Sequence, residues 1–191
     1  MSSFDGNPYS FRILSIDPGS YECGVTVTDY TLGEPPRIRC CITIYAKDLT
    51  RMNKLWDHEV RGDKFTRIKY MAERITNIAK MYRPDIVISE DCHYQRGKIL
   101  AFRALTEFIS VVRDALFVEF PNLNFILIDA RSVKHAVNVS GKGKELMKVA
   151  LKKQDVIWDT GIKFRDLSEH AIDSACVMIY LIRAIGDYKA V

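Results

Sequence analysis

Four side chains from three separated stretches of this 191-residue chain are of the types that hold a cation: Asp17, Glu90, His170 and Asp173. Asp17 follows the apolar run Ile13-Leu14-Ser15-Ile16 and precedes Pro18-Gly19, so a carboxylate stands where a strand ends and the chain turns back. Glu90 closes Ile86-Val87-Ile88-Ser89 in the same manner. His170 and Asp173 open a later apolar segment and, three residues apart, share one face of a helix. Acids brought together at strand ends repel one another and raise each other's pKa unless a cation lies among them. Magnesium suits carboxylate oxygens and keeps waters that a substrate can replace; the histidine makes manganese a second fit. Two such ions would activate a water and stabilise a leaving 3′ oxygen in phosphoryl transfer. Singly, Glu90, His170 and Asp173 read as ordinary surface groups, and it is their combination with Asp17 that indicates a site. Asp166 and Glu169 are rival ligands by proximity in sequence, ranked below His170 and Asp173.

The elements that must position these groups follow from pattern. Residues 11–17, 22–29 and 36–46 read as three strands of an antiparallel meander, with a Gly-Glu-Pro-Pro turn before the third. The charged stretch 49–63 reads as a loop or irregular insertion. Apolar residues at three- and four-residue steps predict a helix over 64–82, ended by Pro84. A β-branched strand follows at 85–90. A helix over 97–118 then turns Leu100, Leu105, Phe108, Ile109, Val112 and Leu116 inward, and residues 125–128 form the fifth strand. A short helix at 131–137, the loop Gly141-Lys142-Gly143 and a lysine-rich helix at 144–153 come next. Residues 154–165 carry no regular pattern, and a final helix spans 167–185. The order βββαβαβα predicts an α/β fold, a mixed five-stranded sheet flanked by helices.

Composition is compatible with this and excludes other classes. At 48% apolar, the chain suits one compact domain over residues 11–187 behind a flexible tail at 1–10. It has no apolar run long enough to span a bilayer, and its first residues lack the layout of a signal peptide. Five cysteines without metal-ligand spacing read as free thiols in a reducing compartment, which implies a cytoplasmic protein. The net charge of +4 says little. Its distribution says more, because Lys134, Lys142, Lys144, Lys148, Lys152 and Lys153 crowd one region that could meet phosphate.

Element order and motifs together resemble the RuvC-type Holliday junction resolvases of the ribonuclease H-like nuclease superfamily. The resemblance rests on Ile16-Asp17-Pro18-Gly19 with Gly24, on Ile88-Ser89-Glu90, on Arg131 to Val137 with Gly141-Lys142-Gly143, and on His170-Ala171-Ile172-Asp173. It implies metal ligation by Asp17, Glu90, His170 and Asp173 and a catalytic-site lysine at Lys134, with a second base at Lys144 or Lys148. It also implies an aromatic, His93 or Tyr94, that stacks on bases of a four-way DNA junction. It implies a homodimer that cuts symmetrically, resembling enzymes encoded by bacteriophages or other viruses, in a bacterial cytoplasm or an infected host cell. Arg96, Lys98 and Lys142 extend the expected DNA surface. Competing readings are a broader nuclease for branched DNA or RNA–DNA hybrids on the same fold, and a non-catalytic nucleic-acid-binding module. An ATPase of the actin and sugar-kinase type would need a much longer chain.

Overall fold

A computed structural model describes residues 6–52, 62–94, 96–141 and 144–187. The rest of the predicted insertion, Lys142 and Gly143 lie outside the described residues, as do the first five residues of the predicted tail. Strands β1 (Ser10–Asp17), β2 (Glu22–Thr31) and β3 (Arg37–Tyr45) form the meander. Helix α1 (Ala46–Met52) follows directly, where a loop is expected from the sequence; α2 (Asp63–Tyr82), β4 (Ile86–Glu90), α3 (Ile99–Glu119) and β5 (Asn124–Ile128) come next. The chain continues with α4 (Ala130–Ala136), α5 (Lys144–Lys152), β6 (Ile157–Trp158) and α6 (Glu169–Asp187).

The sheet has six strands, not five, in the order β5-β4-β1-β2-β3-β6. The added strand is two residues long, too short to carry a periodic signal. It is held parallel to β3 by Ile157 N–H donating to Pro36 O and Asp159 N–H donating to Ile38 O, both at 2.9 Å, and by ion pairs from Arg37 and Arg39 to Asp159. The attached part of the chain also begins before residue 11: Ser10 is buried, and Leu32 N–H donates to Tyr9 O at 3.0 Å.

Strand alternation divides the core in two. Ile13 of β1, Ile86 and Ile88 of β4, and Tyr30 of β2 pack toward α4, α5 and α6. Leu14 and Ile16, Val87, and Cys23, Val25 and Val27 pack on the opposite face toward α2 and α3. Because side chains alternate with a period of two, Asp17, Glu90 and Glu22 fall on the α6 face. β1 and β4 run parallel with Ile16 beside Ser89, so Asp17 and Glu90 emerge from the same sheet edge, at the point where neighbouring connections diverge.

The α6 face of the sheet centre is lined by small groups, which lets the helix come close. The Thr26 and Ser174 hydroxyls lie 2.8 Å apart, and Ser174 also donates to Ala171 O at 2.9 Å. The Cys41 thiol faces the same carbonyl at 3.4 Å, and Thr43 bonds Ser168 ahead of the helix. Thr28 Oγ1, also buried, finds no partner among the described residues. All five cysteines are free thiols; burial pushes Cys41 up to about 12, so it packs rather than reacts. Among the described residues, no helix is long and apolar enough to cross a membrane.

One inward assignment is corrected. Leu100 is 75% exposed, and Leu105 is only partly buried, while Phe108, Ile109, Val112 and Leu116 are buried as expected. The first turn of α3 leaves Ile99 and Leu100 exposed, while Phe102 in the same turn packs against the Tyr94 ring.

Candidate active site

The first turn of α6 comes down on β2 at Gly24, the register partner of Asp17. A Cβ at Gly24 would stand 1.8 Å from the His170 carbonyl oxygen. Only glycine admits the helix at this depth, and this approach sets His170 beside Asp17. Gly24→Ala should therefore lift the start of α6, costing about 1–3 kcal/mol in urea unfolding as an overpacked core does. It should weaken any function of His170 and Asp173 more than that of Glu90. Unchanged stability would count against the close packing.

Asp17 is 13% exposed, and its Oδ2 lies 2.6 Å from His170 Nδ1, the imidazole N–H donating to the carboxylate. Burial raises the Asp17 pKa more than the His170 hydrogen bond lowers it. The same hydrogen bond raises His170. Burial, then the charges of Asp17 and Asp173, push Glu90 up to about 7, and the Lys134 ammonium draws it back. Asp173 is pushed up to about 6 by burial, Asp17 and Glu169, with His170 and Lys134 opposing. The charges of Asp17, Asp173 and Lys134 are thus felt at Glu90, and those of Asp17, His170 and Lys134 at Asp173.

The donor set fits a hard divalent cation: three mutually repelling carboxylates and an imidazole, with the positive charge among them insufficient to restore ordinary ionisation. Among the described residues, no three His, Cys, Asp or Glu side chains are already gathered as a metal cluster. Of the four proposed ligands, Asp17 and His170 are in hydrogen-bond contact. Of the rival ligands, Asp166 is exposed and lies 3.5 Å from Arg165. Glu169 is close enough to raise both Asp17 and Asp173.

One neighbour escapes the sequence reading. Glu22 Oε2 stands 3.7 Å from His170 Nε2, so the ring lies between two carboxylates. Its signal was the antiparallel register: with Asp17 opposite Gly24, Glu22 lies two residues further along the same face.

The expected DNA-binding groups divide. Tyr94 is 57% exposed and meets the Phe102 ring edge-on at 5.9 Å, on the loop that leaves Glu90. His93, Arg96 and Lys98 are exposed on the same loop. Lys148 donates to Arg165 O at 3.1 Å, which ties α5 to the segment before α6. Lys144 opens α5, with its side chain outside the described residues.

Solved structures share this arrangement of elements. RuvC from Thermus thermophilus matches with a TM-score of 0.63 at 16% identity, covering 91% of this chain and 95% of its own. The fold is that of RuvC. The same protein has been solved in complex with a Holliday junction substrate. A yeast mitochondrial Holliday junction resolvase matches at 0.68 and 14% identity, covering 94% of this chain and 81% of its own. A fowlpox virus resolvase, solved with Holliday junction DNA, matches at 0.51 and 10% identity over 91% of this chain and 98% of its own. In sequence, no protein-family model and no curated protein matches. The likeness to RuvC therefore lies in the fold.

Proposed function

We propose that this chain is a divalent-metal-dependent, structure-selective DNA endonuclease that resolves four-way junctions, a crossover junction endodeoxyribonuclease. The observation that most supports this is the convergence of Asp17, Glu90 and Asp173 from three elements, where burial and then the neighbouring charges drive Glu90 up to about 7. Burial of so much like charge destabilises the protein, and a cation bound there would offset it. The solved junction resolvases with this fold supply the substrate class.

Asp17, Glu90, His170 and Asp173 would hold magnesium or manganese. When bound, the metal supplies activation of water and stabilisation of the leaving oxygen. His170 fixes the orientation of Asp17 through their hydrogen bond. Lys134, whose charge is felt at Glu90 and Asp173, is placed to neutralise a phosphate entering beside those acids. Tyr94 offers an exposed ring on which a base at the branch point would stack. Symmetric resolution needs two active sites, so the reading includes a homodimer, with the exposed Ile99 and Leu100 as its candidate contact.

The test is cleavage of synthetic four-way, three-way, RNA–DNA hybrid and linear substrates, with and without magnesium. Magnesium-dependent cuts restricted to the four-way junction and leaving 5′ phosphates are expected. Equal cutting of all branched substrates would replace this reading with a general debranching nuclease. Binding without cutting in either metal would replace it with a non-catalytic module.

A further inference from the structure

A groove of about 540 Å³ runs between α4 and the C-terminal half of α6. Arg131, His135 and Asn138 line one wall, Tyr180 and Arg183 the other, and no carboxylate is among the lining residues. A second hollow of about 370 Å³ shares Asn138 and Arg183 and adds Lys153. Among the described residues that line it, guanidinium, imidazole, amide and phenol groups therefore face one channel without a carboxylate. The nearest acid in sequence, Asp129, is committed to the end of α4, where it accepts from Arg131 N–H, Ser132 N–H and the Ser132 hydroxyl. Arg183 is steadied by donating from Nη2 to Gln154 Oε1 at 3.1 Å.

The two helices that wall the groove also carry groups of the candidate active site. On α4, Arg131, Lys134 and His135 are spaced three and four residues apart and share one side, and Lys134 acts on Glu90 and Asp173. On α6, Tyr180 follows Asp173 by seven residues, close to two full turns, so it stands on the same face about 10 Å further along the axis. A polyanion meeting the acids would thus reach the groove without changing face.

We propose that this groove is a phosphate-binding track for the nucleic-acid strand leaving the catalytic acids, with Arg131 and Arg183 as its principal contacts. The proposal rests on the nuclease reading above. It adds a contact surface remote from the reacting atoms that grips backbone rather than base, so it serves any sequence and any arm. Each phosphate neutralised contributes about −0.9 to the slope of log affinity against log salt.

The test is fluorescence anisotropy with a labelled four-way junction in EDTA, where no cutting occurs, over 50–200 mM salt. Arg131→Gln and Arg183→Gln should each weaken binding roughly three- to tenfold and make the slope shallower by about one. The double variant should make it shallower by about two. Arg113→Gln, on α3 across the sheet, is the charge-matched control and should leave the slope in place. Since Arg183 also bonds Gln154, the Arg131 variant alone supplies a readout free of that packing change. If the wild-type chain binds and cuts DNA while the double variant keeps its slope, the groove is not a contact. An equal loss in the Arg113 variant also overturns the proposal. A wild-type chain that binds no DNA overturns the nuclease reading and the groove with it.

Discussion

Asp17→Asn should reduce single-turnover junction cleavage by roughly three orders of magnitude, the scale of losing one preorganised group that stabilises developing charge, while junction binding survives. The substitution preserves shape and can still bond His170, so a folding defect is not expected. It removes one of the charges that push Glu90 and Asp173 upward. Two opposite signs should therefore appear in one variant: activity lost, and metal-free stability at pH 8 equal to or above wild type. An ordinary structural acid would show the reverse. Cleavage at the wild-type rate would remove Asp17 from the machinery; loss of activity with a large drop in melting temperature would reduce it to a packing residue.

The second large effect is on stability. In the metal-free protein, the melting temperature should be highest near pH 5 and fall by about 6–12 °C toward pH 8. Glu90 is held up to about 7 and Asp173 to about 6, above the ordinary carboxylate range. Groups displaced in this direction bind protons more tightly when folded. Their contribution is present below the ordinary range and lost as pH rises through the folded values. His170 is raised by its bond to Asp17 and has the same sign. At about 1.4 kcal/mol per unit, Glu90 alone amounts to on the order of 3 kcal/mol, which in a domain of this size is several degrees. Millimolar magnesium or manganese at pH 8 should recover most of the loss, since a ligand that binds only the folded state stabilises it. Glu90→Gln should flatten the profile. A metal-free melting temperature that does not change between pH 5 and 8 would show that the acids do not face one another as described.

Legibility varied with how far each feature depended on chain contacts. Asp17 and Glu90 could be read from sequence because each ends an apolar run, and His170 and Asp173 because a helical step of three puts them on one face. Glu22 could not: it is the exposed first residue of β2 and joins the site only through the pairing of Asp17 with Gly24. Gly24 stands in the motif that carries the resemblance, but the group it admits is the His170 carbonyl, distant in sequence. α1 and β6, seven and two residues long, are too short to show a period. Leu100 was assigned inward because spacing marks an apolar stripe without saying how far the covering sheet extends.

Strand alternation also sets which changes in length the chain can survive. Asp17, Glu90 and Glu22 reach one face because each lies an even number of residues from a packed neighbour, Ile13, Ile88 and Tyr30 respectively. Deleting one residue between Ile13 and Asp17 would turn the carboxylate toward α2 and α3, into an apolar layer, without altering a single side chain of the site. Such a chain can drift to low sequence identity and vary its loops widely, yet the reading frame of three short strands stays closed to insertion and deletion.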